Sequence, residues 1–80
     1  MRKTKTKTKE EQELLLKIGE QIKSYRTDIG LSQEKLAFKT SLDRTYIGSV
    51  ERGERNIAVI NLQKIATALN ISISELLKFN

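Results

Sequence analysis

Apolar side chains recur every three or four positions along most of the chain, which is the spacing of one face of an α-helix. The first stripe predicts a helix from about Glu10 to Ile29, with Gly30 as its stop. Gly19 inside this helix predicts close packing or slight bending, because glycine disfavours a helix interior. The stripe comprises Leu14, Leu15, Ile18, Ile22, Tyr25 and Ile29.

Two shorter helices follow, over residues 32–39 and 43–52. Ser32 and Asp43 are candidate N-caps, and Gly53 can close the second helix in a left-handed C-terminal cap. Helices this short cannot bury enough surface to be stable alone. The sequence therefore predicts a tight pair of helices supported by the rest of the chain.

The C-terminal third predicts two more helices. Apolar spacing gives one over residues 59–69, with Asn70 as a plausible cap. The segment Ser72–Glu75 has the capping-box pattern, so a fifth short helix should begin near Ile73 and reach the C-terminus. No segment shows sustained period-two alternation, and the chain has no proline. These patterns predict an all-α fold, a compact five-helix bundle.

The positive charge of the 80-residue chain is concentrated at its N-terminus. Residues 1–9 carry five of the 15 basic side chains and no acid, whereas residues 10–80 carry ten basic and ten acidic side chains. Like charges repel, and no apolar residue after Met1 offsets the ordering entropy, so we expect a disordered basic arm over residues 1–9. Such a segment is either a solubilising tail or an arm that contacts DNA phosphates.

Several function classes are disfavoured by composition. Cysteine and histidine are absent, which removes disulfides, thiolate nucleophiles and the common zinc sites. No apolar run approaches the roughly 20 residues of a membrane span, and the basic N-terminus lacks the apolar stretch of a secretory signal. Helix capping and surface pairing explain the acids without catalysis. We therefore expect a cytoplasmic protein that is no enzyme and that binds no cofactor, metal or membrane.

The central stretch, residues 31–53, contains a distinctive set of residues: Leu31-Ser-Gln33, Ala37, Leu42, Ile47, Val50 and Glu51-Arg-Gly53. With these residues it resembles the helix-turn-helix of the Cro and phage-repressor type, also called the XRE group. The resemblance covers about residues 22–77 and implies a lambda-repressor-like DNA-binding domain over residues 10–80. Ser41 occupies a turn position where many members have glycine, so we expect mild backbone strain there.

The segment Leu42–Asn56 is similar, more narrowly, to the controller proteins of restriction–modification systems, which are small dimeric regulators. This resemblance implies a sequence-specific transcriptional regulator that binds a pseudo-palindromic operator in double-stranded DNA as a homodimer. RNA polymerase is a further candidate partner. The alternative is an antitoxin-like protein-interaction module with autoregulatory DNA binding.

Three residues of the second motif helix are predicted to contact bases. A recognition helix enters the major groove N-terminus first, so its first turn should face the base edges. Arg44 has the donor fork that matches guanine O6 and N7, and Thr45 offers a hydroxyl and a methyl group. Ser49 follows Thr45 by one turn on the same face, while Asp43 is expected to serve as the cap. The alternative for all three is a solvated surface side chain.

A second group of residues is predicted to contact DNA phosphates. Gln33 begins the first motif helix, where free backbone N–H groups attract an anion. The family resemblance implies backbone contacts by Tyr46, Arg55 and Asn56. Arg52 is included in this group, although it can also reach a base or only solvent. Phosphate contacts fix the register of a protein on DNA without reading its sequence.

Two further predictions concern the scaffold. The resemblance implies that Arg26 and Glu51 form a largely buried ion pair between the first helix and the recognition helix. The C-terminal helix is rich in apolar residues for so small a core, and we expect Ile73, Leu77 and Phe79 to form the dimer interface. The alternative is that these three residues complete the core of the monomer.

Overall fold

A computed structural model of the chain describes residues 7–79. The predicted all-α fold with five helices is confirmed, and these residues contain no strand. Most helix ends lie within one residue of the prediction, but α5 ends at Leu76 instead of continuing to the C-terminus. The helices are α1 (Lys9–Asp28), α2 (Gln33–Thr40), α3 (Arg44–Glu51), α4 (Val59–Ala68) and α5 (Ile73–Leu76). Within the same residues, no helix combines the length and the apolar composition needed to cross a membrane.

One hydrophobic core joins all five helices. Each helix contributes one of the five largest side chains that are fully buried, and burial of each stabilises the fold by roughly 1.5–3 kcal/mol. These side chains are Ile22, Leu36, Ile47, Ile65 and Leu76. The short helices α2 and α3 are therefore held by α1, α4 and α5, as their length requires.

Local capping explains where two of the helices begin. The hydroxyl of Ser32 accepts a hydrogen bond from the N–H of Lys35, and that of Ser72 accepts one from the N–H of Glu75. These caps agree with the sequence-based prediction. Asp43 occupies the N-cap position of α3, but its side chain makes no capping hydrogen bond. The expectation that its carboxylate caps α3 is therefore wrong.

The N-terminal boundary of the folded part lies earlier than the sequence pattern indicated. Thr8 and Glu11 form a reciprocal capping box, and Lys9 is the first residue of α1. Thr8 and Lys9, which the sequence pattern assigned to the arm over residues 1–9, therefore belong to the start of α1. Residues 1–6 of the arm lie outside the described residues.

Helix α1 crosses the C-terminal end of α3 at Gly19. A Cβ atom at this position would lie 2.5 Å from the carbonyl oxygens of both Val50 and Glu51. Backbone atoms cannot yield to a side chain at that distance, so the close approach requires glycine. The close packing predicted at Gly19 is observed, and it sets the distance between the two helices.

The turn between α2 and α3 contains the backbone strain expected from the sequence. Ser41 has a φ of 58° and a ψ of 28°, which is the left-handed region. A residue with a Cβ atom is disfavoured there by roughly 1–2 kcal/mol. The turn directs the chain from α2 into α3, so the strain is located where the motif changes direction.

Candidate nucleic-acid interface

The first turn of α3 presents two of the three predicted base-contacting residues to solvent. Arg44 and Thr45 are exposed. Ser49 is only 6% exposed, and its hydroxyl donates a hydrogen bond of 2.8 Å to the carbonyl of Tyr46. This local bond satisfies the buried hydroxyl. The expectation that Ser49 is exposed beside Thr45 is therefore corrected, because the side chain of Ser49 is buried in the interior of the protein.

A shallow depression of about 490 Å³ lies between the N-terminal ends of α2 and α3. Helix N-termini carry partial positive charge and free N–H groups, which favour an anion. Arg44 adds a guanidinium group to this surface, and Glu34 adds an opposing carboxylate. The lining residues are Arg26, Ser32, Gln33, Glu34 and Arg44.

Beneath this depression, Arg26 and Glu51 form the expected ion pair. The Nε of Arg26 donates to Oε2 of Glu51 at 2.6 Å, and Nη2 donates to Oε1 at 3.0 Å. Only 9% and 3% of the two side chains are exposed. Nη1 of Arg26 also donates to the carbonyl of Leu31 at 2.8 Å. The pair thus fixes the end of α3 to α1 and to the loop before α2.

Gln33 belongs to the same hydrogen-bond network. Its Nε2 donates to Oε1 of Glu51 at 2.9 Å. Its side-chain oxygen, Oε1, lies 3.5 Å from the position that a Cβ atom of Gly48 would occupy. The Gln33 amide therefore packs within ordinary van der Waals distance of Gly48. The network gives this amide one orientation at the α2–α3 surface, where its phosphate contact remains a prediction.

A second arginine–glutamate pair lies in the turn that follows α3. The Nε of Arg52 donates to Oε2 of Glu54 at 3.0 Å, and Nη2 donates to Oε1 at 3.2 Å. The two side chains are 59% and 56% exposed. Their hydrogen bonds lower the pKa of the Glu54 carboxyl and raise the pKa of the Arg52 guanidinium. Both groups are therefore charged at neutral pH.

Tyr46 connects α3 to the following loop and to α4. The guanidinium of Arg55 lies 5.2 Å from the centroid of the Tyr46 ring, a distance typical of a cation–π contact. The Tyr46 hydroxyl accepts a hydrogen bond of 3.1 Å from Nδ2 of Asn61. Asn56 lies exposed in the same loop. The structure thus brings Tyr46 and Arg55 together beside α3, and Asn56 is the next residue of the loop.

The start of α1 packs against this loop, a contact that the sequence patterns did not reveal. Nε2 of Gln12 donates to the carbonyl of Gly53 at 3.1 Å, and Nζ of Lys7 donates to the carbonyl of Glu54 at 3.5 Å. A Cβ atom on Gly53 would lie 2.8 Å from Cδ2 of Leu16. The start of α1 therefore lies beside the exposed Arg52–Glu54 pair.

The predicted interface residues of the C-terminal segment pack against the core of their own chain. Ile73, Leu77 and Phe79 are partly buried there. Nε2 of Gln21 donates to two backbone carbonyls of this segment, at 3.2 and 3.4 Å, and holds the segment beside α1. These contacts support the alternative in which the three residues complete the monomer core.

Large apolar side chains are exposed elsewhere on the surface. Phe38 on α2 is 87% exposed, and Val59 and Ile60 at the start of α4 are each 68% exposed. Apolar spacing does not reveal this exposure, because Phe38 and Ile60 fall outside the apolar stripes of their helices and Val59 is the first residue of α4. They are the residues most available for contact with another chain.

The comparison with known families agrees with this geometry. A family model described as helix-turn-helix matches residues 22–76, which include α2, α3, α4 and α5 in full. The matched segment is more than half of the chain. The chain therefore belongs to the helix-turn-helix family.

Its relatives within that family include control proteins. The chain is 52% identical over 60 residues to control protein C.SmaI of Serratia marcescens, covering 75% of this chain and 71% of that protein. It is 42% identical over 65 residues to control protein C.MunI of Mycoplasma sp, covering 80% and 88%. The crystal structure of the restriction-modification controller protein C.AhdI from Aeromonas hydrophila matches with a TM-score of 0.76 and 53% identity, covering 78% of this chain and 94% of that one. The resemblance to controller proteins drawn from residues 42–56 is confirmed.

Proposed function

We propose that this chain is a sequence-specific DNA-binding transcriptional regulator of the restriction–modification control type. The observation that carries the proposal is the difference between the two ends of α3. Its first turn presents Arg44 and Thr45 to solvent, while Glu51 at its last turn is fixed to α1 by a buried ion pair. A helix that is anchored at its C-terminal end and exposes its first two residues suits entry into a major groove N-terminus first. The relatives named as control proteins support the same function.

The proposed contacts follow the exposed surfaces. Arg44 and Thr45 read base edges, and Arg44 suits guanine because its two donors match O6 and N7. Ser49 is omitted because its hydroxyl is buried and bonded within α3. The residues proposed at phosphates are Gln33, Tyr46, Arg52, Arg55 and Asn56.

The regulator acts as a homodimer on a pseudo-palindromic operator. Two-fold symmetry would place two copies of α3 about 34–36 Å apart in successive major grooves. The exposed pair Val59 and Ile60 competes with the C-terminal residues for the role of interface. The molar mass of the Ile60→Lys variant in solution distinguishes these two surfaces. If the variant is a monomer, the dimer interface lies at the start of α4.

With this function we propose a cytoplasmic location, DNA as the binding partner and no enzymatic activity. RNA polymerase is a further proposed partner, because regulators bound at promoters act through it.

The basic arm is proposed to contact phosphates beside the site. Removal of residues 2–6, which spares the Thr8 cap, should then flatten the dependence of affinity on salt, by about 0.9 in log–log slope for each phosphate that the arm neutralises. An unchanged slope would identify a solubilising tail.

Selection of bound sequences from a random DNA pool tests the function directly. The expected result is a palindromic motif with half-sites about 10 base pairs apart, centre to centre. Recovery of no motif would contradict sequence-specific binding. The antitoxin-like alternative draws support from the exposed Phe38, and copurification with a second polypeptide would favour it.

A further inference from the structure

Glu54 is an acidic residue within a group of basic side chains beside the proposed DNA-contacting surface. Its carboxylate is bonded to Arg52, Arg55 follows it in the chain, and Lys7 reaches its backbone carbonyl. The charge of Lys7 also helps to lower the pKa of the Glu54 carboxyl. A carboxylate in such a place opposes binding of a polyanion, because like charges repel. Its presence there calls for a physical explanation.

The position of Arg52 relates this pair to the recognition helix. Arg44, Gly48 and Arg52 are spaced four residues apart and so lie along one side of α3 and its C-terminal cap. Nη1 of Arg52 lies 3.3 Å from the position that a Cβ atom of Gly48 would take. The side-chain Oε1 of Gln33 lies 3.5 Å from the same position. Arg52 therefore shares the α2–α3 surface with Gln33, where phosphates are proposed to bind.

We propose that Glu54 competes with DNA phosphate for Arg52 and thereby lowers the affinity of the protein for DNA of any sequence. This inference rests on the proposed DNA-binding function. A phosphate presents oxygens to a guanidinium much as the Glu54 carboxylate does, so one can replace the other. The replacement leaves the carboxylate beside the phosphate backbone, where the two repel each other.

The consequence concerns which DNA is occupied. Phosphates are the same at every site, so competition by Glu54 weakens binding to all sequences alike. The ratio of affinities between sequences is unchanged, but at a given protein concentration the protein occupies fewer sites that lack the base contacts of Arg44 and Thr45. Glu54 thus restrains non-specific binding that the basic residues would otherwise produce.

The opposite role for Glu54 would be to position Arg52 for contact with DNA. Removal of the carboxylate would then free Arg52 from a useful orientation and weaken binding. The two roles predict changes of opposite sign, so one substitution separates them.

The experiment uses the full chain carrying Glu54→Gln, which keeps the side-chain shape and removes the charge. Binding is measured by fluorescence anisotropy on a random-sequence duplex and on the sequence obtained by selection. Competition by Glu54 predicts about a two- to five-fold gain in affinity per protomer on both duplexes, the scale of an exposed ion pair. It also predicts a steeper dependence on salt, because the freed Arg52 engages a phosphate more fully.

Glu20→Gln is the matched control, because Glu20 is exposed on α1 and its change removes the same charge. A gain no larger than that of this control, or a loss of affinity, would overturn the proposal. Circular dichroism of each variant checks that the helices are retained.

A second background tests whether the effect passes through Arg52. In Arg52→Gln protein, Glu54→Gln should give a clearly smaller gain than it gives in the wild-type background, because only the repulsion between carboxylate and phosphate is then relieved. A full gain in that background would mean that Glu54 acts as an ordinary repulsive charge, which contradicts competition. Wild-type protein that binds neither duplex would overturn both the proposed function and this inference, whereas normal wild-type binding with an unaffected Glu54→Gln variant would overturn only the inference.

Discussion

Two arginine–glutamate pairs meet at adjacent residues of the chain and lie in opposite environments. Arg26 with Glu51 and Arg52 with Glu54 both use Nε and Nη2 of the guanidinium on the two oxygens of one carboxylate. The first pair is almost entirely buried, and the second is more than half exposed. The contact between guanidinium and carboxylate is the same, so the roles of the two pairs are separated by burial and by the further hydrogen bonds that Arg26 and Glu51 make to Leu31 and Gln33.

Burial determines whether such a pair can change partners. Removing one member of a buried pair leaves a charge without water, so the pair is effectively permanent. An exposed pair is solvated on both sides and contributes little to stability, so either member can bind another group. One peptide bond, between Glu51 and Arg52, thus separates a fixed structural contact from an exchangeable one.

The largest expected effect comes from Arg26→Ala. This substitution leaves Glu51 buried without its partner and should lower the free energy of unfolding by roughly 3–5 kcal/mol. Urea denaturation followed by circular dichroism measures the change. Lys23→Ala, at an exposed position of the same helix, is the control. A loss below about 1 kcal/mol for Arg26→Ala would mean that the two pairs do not differ as their burial implies.

The contact between α1 and α3 can also be tested without removing a charge. Gly19→Ala places a methyl group against two backbone carbonyls and should destabilise the protein by about 1–3 kcal/mol. Thermal and urea unfolding provide the measurement, and Ser24→Ala on the exposed side of α1 is the comparison variant. Alanine ordinarily favours a helix over glycine by about 1 kcal/mol, so a gain in stability would show that α1 and α3 separate easily.

Arg44→Ala tests the exposed end of α3. The loss of a bidentate contact should reduce discrimination at one base position per half-site by about 1–3 kcal/mol. The stability of the fold should change by no more than about 0.5 kcal/mol, because the side chain is exposed. Affinities for the operator and for single-base variants measure the effect. An equal loss on every sequence would instead identify a phosphate contact.

The smallest effect on stability is expected for Arg52→Ala. Breaking the exposed pair should leave the urea midpoint within experimental error of the wild-type value, because water solvates the freed carboxylate. The same unfolding experiment as for Arg26→Ala provides the comparison. A marked drop would show that the exposed pair supports the fold and is not freely exchangeable.

The helices and most of their ends could be predicted because the signals are local. Apolar spacing and the caps at Ser32 and Ser72 involve residues within one or two turns of each other. The cap at Thr8 was also available, since Glu11 follows it at the spacing of a capping box. The run of like charges without apolar residues predicted a disordered arm as far as Lys9 and obscured this signal.

The candidate site could be predicted only in part, because several of its contacts join distant segments. The amide of Gln33 is oriented by Glu51, and the loop after α3 is held by Gln12 near the start of the chain. Neither contact has a sequence pattern. Helical spacing correctly places Ser49 on the same face of α3 as Thr45. It does not show that this face is buried one turn later. The Arg26–Glu51 pair was inferred from the family resemblance and not from spacing.

The attachment of α3 from Ile47 onwards has a consequence for how this protein can diversify. The two residues that face outward, Arg44 and Thr45, precede the residues that anchor the helix, so they can be exchanged without disturbing Gly19 or Glu51. A library that randomises the two outward positions should therefore retain a high proportion of folded members. In evolution, the same separation allows a duplicated copy to acquire a new target by very few substitutions while it inherits the scaffold unchanged.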